Sequence, residues 1–142
     1  GGSTGLATMR RDGFVSHEAG PDGGSITTRK LNFKGSHLFV NSSSTAGELR
    51  AEVLDANGRV IEPFSCDRCN PLTTDKTQQL ITWDNGRNLS QFVNQPVQLR
   101  FQLRNAALYS FWVSQDSSGA SYGYVAAGGP GHTSAWDKVG QP

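Results

Sequence analysis

The chain has 142 residues, which is enough for one domain that buries a hydrophobic core of its own. Its 13 Lys and Arg offset 12 Asp and Glu, so a net charge of +1 gives no electrostatic reason to expect a nucleic acid or an anionic membrane as partner. No apolar run approaches the roughly 20 residues of a membrane-spanning helix. No signal peptide is visible, so we expect any export signal to lie upstream or to have been removed.

The first third of the chain predicts short strands separated by turns. Residues 5–20 indicate two strands around a turn at Asp12-Gly13, with Phe14 and Val15 in the second strand. Two further segments with alternating apolar residues follow at 25–33 and 36–43. A hairpin comes next, because Asn57-Gly58 suits a tight turn that requires positive φ. Before that turn, Leu49, Ala51 and Val53 are predicted to face inward, and Glu48, Arg50 and Glu52 outward.

The second half continues the same pattern. Ile81 and Trp83 share one face of a strand and are predicted to be core, and one helical turn is expected within 88–96. The clearest alternation covers 97–104 and indicates an antiparallel strand with one wet face. Its inward set is Val97, Leu99, Phe101 and Leu103, and its outward set is Gln98, Arg100, Gln102 and Arg104.

Residues 106–114 are predicted to pair with that strand as a long hairpin that turns at Asn105-Ala106. The expected register assigns Tyr109, Phe111 and Val113 to the core. The opposite face then carries Leu108, Ser110 and Trp112, together with the outward residues of the preceding strand.

About eight strands of this kind favour an all-β fold, a two-sheet antiparallel β-sandwich that is jelly-roll-like. We expect a single domain over 1–142. Its Gly- and Ser-rich C-terminal segment, 115–142, is expected to pack on the sandwich.

Two cysteines, Cys66 and Cys69, form a C-x-x-C pair. Zinc needs more ligands than this pair supplies, and no βαβ pattern supports a redox enzyme, so either a local disulfide or two plain thiols is expected. Loops around Asp22, Asp67 and Asp75 offer oxygen ligands for a structural calcium, although no fixed-spacing motif appears.

Four segments carry a resemblance to a known family: "GLATMRRDGFVSHEAG", "GELRAEVLDANGRVIEPFS", "LITWDNGRNLSQFVNQPVQLRFQLRNAALYSFWVS" and "GYVAAGGPG". Together they resemble the C-terminal β-sandwich accessory domain of bacterial, often secreted, glycosidase-like proteins. There the domain follows a β-propeller catalytic domain of the fructan-hydrolase and arabinanase kind. The resemblance spans about residue 5 to about residue 131 and implies a secreted or extracellular accessory module with an attached catalytic domain as its partner. Cys66 has no match in that pattern.

Catalysis by this chain itself is not expected. A glycosidase needs two carboxylates across a cleft, whereas the acidic residues here fall mostly in turns or on wet strand faces. Neither a nucleophile elbow nor a phosphate loop is present.

Binding of a polysaccharide or oligosaccharide is the leading hypothesis, because exposed aromatic rings beside polar side chains suit sugars. Trp112 with Arg100, Gln102 and Arg104 is the predicted platform, unless the C-terminal segment or a neighbouring domain covers Trp112. Tyr122, Tyr124 and Trp136, near His132, are either an aromatic rim for the glycan or anchors for the Gly-rich segment. The alternative function is a structural domain that packs against a glycosidase catalytic domain and stabilises it without binding sugar.

Overall fold

A computed structural model describes residues 1–124 and 135–139. The strands are β1 (His17–Ala19), β2 (Gly24–Thr27), β3 (His37–Ser43), β4 (Glu48–Leu54), β5 (Asp75–Ile81), β6 (Gln98–Arg104) and β7 (Ala106–Ser114). They form a four-stranded sheet in the order β1-β7-β3-β5 and a three-stranded sheet in the order β2-β6-β4, and all neighbours are antiparallel. The predicted all-β fold with two antiparallel sheets is therefore confirmed.

Short 3-10 turns join these strands. They cover Glu62–Phe64, Cys66–Arg68, Asp84–Gly86 and Leu89–Phe92, the last being the expected helical turn. Within 1–124 and 135–139, no helix has the length and apolar composition needed to cross a membrane.

One hydrophobic core lies between the two sheets. The predicted inward residues of β4 and β6 belong to it, and Leu38, Val40 and Ile81 come from the facing sheet. Trp83 is completely buried, as expected, and its indole contacts the Phe64 ring edge-on at 5.3 Å between centroids. Strict alternation along a half-buried strand thus identified the core of the three-stranded sheet correctly.

The outer edge of β4 is closed by the segments that follow it. The N–H of Ala51 donates to the Cys69 Sγ at 3.3 Å, and its carbonyl accepts from the Trp83 Nε1 at 3.0 Å. At the flanking positions, the backbone groups of Leu49 and Leu72 exchange hydrogen bonds, and the carbonyl of Val53 accepts from the N–H of Ile61. An edge strand with paired N–H and C=O groups cannot recruit a foreign strand there.

The predicted hairpin between β6 and β7 is wrong. Only Asn105 separates the two strands, and its φ of 44° lies in the left-handed region. A hairpin within one sheet needs a connection of at least two residues. The chain instead crosses at Asn105 from the three-stranded sheet to the four-stranded one, so β6 and β7 pair with different neighbours.

A β-bulge in β7 corrects the predicted faces of that strand. Ser110 lies opposite Asn41 and Leu108 opposite Ser42, which leaves Tyr109 as the extra residue. Leu108 is therefore buried in the core and Tyr109 is outside it, the reverse of the prediction, because one extra residue inverts the alternation. Beyond the bulge, Phe111 packs against the core as predicted. Val113 does so too.

The strands predicted within residues 5–16 do not form, and the first strand begins at His17. Phe14 and Val15 are 84% and 73% exposed. A strand needs a hydrogen-bonded neighbour, and the sheet edge offers one only from β1 onward.

Candidate functional site

The structure divides the predicted sugar platform between two surfaces. Trp112 lies on the outer face of the four-stranded sheet, whereas Arg100, Gln102 and Arg104 lie on the outer face of the three-stranded sheet. The grouping of these four residues on one face was wrong, because the chain changes sheets at Asn105. Each surface must therefore be considered separately.

A groove of about 340 Å³ lies on the outer face of the four-stranded sheet, and we call it the Trp112 groove. The residues that line it include Arg11, Asp12, Thr77, Gln78, Trp112 and Asp137. It is therefore built by β5, by β7 and by segments near both ends of the described chain.

Trp112 is half-buried in this groove. Its ring stacks on Phe39 at 5.6 Å between centroids and 15° between planes, and its Nε1 donates to the carbonyl of Gly119 at 2.8 Å. The C-terminal segment thus covers part of the indole, which is the structural alternative expected from the sequence. Trp112 remains a wall of the groove rather than an open platform.

Residues 115–121, which we call the C-terminal strap, fold back over the outer face. The Gln78 amide donates to the carbonyl of Ser118 at 2.6 Å, and the hydroxyl of Ser114 donates to the carbonyl of Ala120 at 2.7 Å. Gly119 has a φ of 80°, and a Cβ there would lie 3.0 Å from the Phe39 ring. Glycine is required at this position because the backbone is left-handed and in close contact with the sheet.

The three aromatic residues of the tail belong to the pieces of chain around Ser121 and Asp137, which line the Trp112 groove. Tyr124 and Trp136 form an antiparallel bridge, and their rings meet edge-to-face at 6.0 Å. Asp137 fixes this piece to the groove wall, since its carboxylate accepts from the N–H of Ser121 at 2.7 Å. Tyr122, Tyr124 and Trp136 are 42%, 67% and 51% exposed. His132 lies outside the described residues.

A hydrogen bond between Tyr122 and Asp116 holds the start of the tail. The phenol donates to the carboxylate. Hydrogen bonds from the side chain of Ser118, then from Tyr122 and the Ser118 backbone, lower the pKa of Asp116. The bond to Asp116 in turn raises the pKa of Tyr122. These shifts favour the pair in which the carboxylate is charged and the phenol is neutral.

Arg10 holds in place the segment that supplies Arg11 and Asp12 to the groove. Its Nε donates to the Asn41 side chain at 2.5 Å, it pairs with Asp75, and its guanidinium lies 4.6 Å from the centroid of the Tyr109 ring. The Asn41 amide returns a hydrogen bond to the carbonyl of Arg11 at 2.6 Å. The hydrogen bond from Arg10 also lowers the pKa of Asp75. Because Asn41 is almost fully buried, this clasp satisfies a polar group that the sheet alone would leave unpaired.

The second surface is the arginine face, defined as Arg50, Arg100, Gln102 and Arg104 on the outer side of β4 and β6. These residues line a shallow groove of about 530 Å³ together with Asp22, Ser25 and Glu48. None of the described residues that line it carries an aromatic ring. The arginine face therefore lacks the ring that sugar stacking requires.

The cysteine pair consists of two free thiols, so the disulfide alternative is not what the structure contains. Burial raises the pKa of Cys66 to about 11, and burial likewise raises the pKa of Cys69 to about 11. In the part of the chain that the structure describes, no three His, Cys, Asp or Glu side chains are grouped as metal ligands would be. Of the expected calcium-binding residues, Asp75 pairs with Arg10 and Asp22 lines the arginine face.

Sequence reasoning missed several residues of the Trp112 groove. Gln78 lies on an outward position of β5, which alternation could have revealed. Arg11, Asp12 and Asp137 reach the groove from distant parts of the chain, and no local pattern marks them. A half-buried Trp in a small groove with convergent polar groups is the type of site that a binding module presents.

No protein-family model, curated protein or solved structure matched the chain.

Proposed function

We propose that this protein is a non-catalytic carbohydrate-binding accessory module, which targets a polysaccharide for an attached glycoside hydrolase. The observation that carries the proposal is the Trp112 groove, where an indole and polar side chains come together, and where the lining residues Ser121 and Asp137 belong to the tail that carries three exposed rings. The family resemblance of the sequence supports the same role and an extracellular location.

The groove supplies both kinds of contact that a sugar needs. The apolar C–H face of a pyranose packs against an aromatic ring, and its hydroxyls exchange hydrogen bonds with amides, hydroxyls and carboxylates. Thr77, Gln78 and Asp137 provide those polar groups around Trp112. Because the Trp112 ring already stacks on Phe39, it contributes an edge and part of a face to the ligand.

The tail rings extend the site beyond the groove. Tyr124 and Trp136 expose more of their side chains than Trp112 does, and their backbone bridge joins the wall formed by Ser121 and Asp137. A chain of several sugar units would contact the groove with one unit and these rings with the next. The module then works by retention alone, and it raises the concentration of the attached enzyme at its substrate.

Affinity gels with a panel of neutral polysaccharides test the proposal. Removal of a ring that stacks on a sugar costs about 1.4 kcal/mol, or roughly tenfold in affinity. We expect Tyr124→Ala and Trp136→Ala each to reduce retention by about that factor, and Trp112→Phe to reduce it as well. Phe14→Ala is the matched control, because Phe14 is an exposed ring that belongs neither to the tail nor to the lining of the groove.

Two results would overturn the proposal. One is that no glycan of the panel retards the intact protein. The other is that Phe14→Ala weakens retention as much as Trp136→Ala does. Release of reducing sugar from any glycan by the purified protein would contradict its non-catalytic character.

A second candidate function is favoured by the exposed apolar side chains before β1. Leu6, Met9, Phe14 and Val15 are all more than half exposed. An apolar surface of this kind suits docking against an attached catalytic domain, which this protein would stabilise without binding sugar. In that case Phe14→Ser with Val15→Ser lowers the melting temperature of the joined two-domain protein, while Tyr124→Ala does not.

A further inference from the structure

We propose that the arginine face is a second binding site, separate from the Trp112 groove, for saccharides that carry carboxylate groups. The ligand class is a uronic-acid chain. The lining of this site includes Arg100, Gln102 and Arg104, which do not line the Trp112 groove.

A balance of hydrogen-bond donors and acceptors supports this assignment. Both oxygens of Glu48 are occupied, one by Arg104 at 2.8 Å and one by Arg50 at 3.0 Å. Both oxygens of Glu52 are occupied too, by Arg100 at 2.7 Å and by the N–H of Cys66 at 3.3 Å. The carboxylates of Glu48 and Glu52 are therefore engaged within the protein.

The guanidinium groups retain free donor capacity. Each carries five N–H donors, and the Nη2 of Arg104 bonds Glu48 while its side chain is 61% exposed. Arg100 uses its Nε on Thr27 and its Nη1 on Glu52. Donors in excess of acceptors define a surface that binds a carboxylate, which two parallel N–H groups of one guanidinium recognise.

The donors are arranged in a row. Arg100, Gln102 and Arg104 are alternate residues of β6, so neighbouring side chains are spaced about 7 Å apart along the strand. Gln102 is paired with Arg50 of β4 on one side and with Ser25 of β2 on the other. A linear chain that alternates carboxylates and hydroxyls fits this row of charged and neutral partners.

The residues that line the arginine face argue against a nucleic acid as its ligand. Glu48, Glu52 and Asp22 lie among the arginines, and the chain as a whole carries a net charge of only +1. A nucleic acid would find no aromatic ring for its bases among the described residues that line this face. A uronate chain has no bases to stack, and its hydroxyls accept and donate hydrogen bonds at the same surface.

Calorimetric titration of the full chain tests this site. The probe is an oligogalacturonate of defined length, and the matched probe is the same oligosaccharide with its carboxyl groups reduced to alcohols. We expect the acidic probe to bind and the reduced probe to bind at least tenfold more weakly. Arg104→Gln should weaken binding of the acidic probe about five- to tenfold, and Arg104→Lys should weaken it less, because lysine keeps the charge without the bidentate fork.

Arg59→Gln is the control variant, since Arg59 is an exposed arginine of the β4 hairpin that does not line the groove and its loss changes the net charge equally. Trp136→Ala should leave binding of the acidic probe unchanged, so failure of this site is distinguishable from failure of the Trp112 groove. Equal binding of both probes, no binding of the acidic probe, tighter binding of single-stranded DNA, or an equal effect of Arg59→Gln would each overturn the proposal.

Discussion

At the scale of single residues, Cys69 and Trp83 close the edge of β4. Together they pair the N–H and the C=O of Ala51, which face away from β6. The Sγ of Cys69 also donates to the carbonyl of Asn70 at 3.5 Å. A small thiol fits this position because it is apolar enough for the core and still accepts one hydrogen bond. The role of Cys69 is thus structural.

Cys69→Ala should reduce the free energy of unfolding by about 1–3 kcal/mol, because the buried N–H of Ala51 loses its acceptor. Cys69→Ser should recover part of that loss, since a hydroxyl also accepts. Urea denaturation under reducing conditions measures both. Cys66→Ala is the control, because Cys66 donates its backbone N–H to Glu52 and the substitution keeps that group. Equal destabilisation by the two alanine variants would contradict the role of Cys69.

At the scale of elements, the C-terminal strap decides what Trp112 can do. The strap covers Phe39 and receives the hydrogen bond of the Trp112 indole. Its far end is fixed by Tyr122, whose phenol donates to Asp116. Tyr122 therefore acts as an anchor through its hydroxyl. An aromatic rim for a glycan, the other alternative drawn from the sequence, stays a prediction.

The docking of the tail should depend on pH at both extremes. The pKa of Asp116 is lowered from 3.8. The contribution of its carboxylate to the stability of the docked tail is therefore complete above pH 3.8 and is lost as the pH falls through the lowered pKa. The pKa of Tyr122 is raised from 10.0. The contribution of its phenol to the stability of the docked tail is therefore complete below pH 10.0 and is lost as the pH rises through the raised pKa. Indole NMR resonances of Trp112, followed from pH 3 to 11, measure the docking.

Tyr122→Phe should remove the alkaline transition, because the variant has no phenol to ionise. Far-UV circular dichroism, recorded alongside, separates tail release from loss of the sandwich. An alkaline transition of unchanged size in Tyr122→Phe would show that another group controls the tail.

At the scale of the whole molecule, two grooves lie on opposite outer faces of a two-sheet sandwich. A cluster of buried side chains lies between the sheets, and the two grooves have no lining residue in common. Sites that share no partner and are separated by a packed core are energetically independent. If both proposed sites bind their ligands, a neutral chain and an acidic chain do not compete for this domain.

Simultaneous binding is therefore expected. The dissociation constant of the acidic oligosaccharide should change by less than about twofold when the protein is saturated with the neutral glycan that it retains, because independent sites add within about 0.5 kcal/mol. Calorimetry of the second ligand in the presence of the first measures this. Competition between the two ligands would place both on one surface.

The fold class could be predicted from local pattern. The alternation in β4 and β6 and the turn at Asn57-Gly58, where Gly58 has a φ of 81°, depend on neighbours within a few residues of each other. The same local pattern assigned Trp83 to the core. These features follow from side-chain geometry along a single strand, and the structure contains them where the sequence placed them.

What only the tertiary structure decided is which faces come together. The bulge at Tyr109 and the crossing at Asn105 arise from pairing with strands more than 50 residues away, so the residues around them do not reveal either. The Trp112 groove needs both terminal segments, and the arginine face needs three strands that are far apart in the chain. Alternation is a local property of the backbone, whereas a binding surface depends on the register between distant strands.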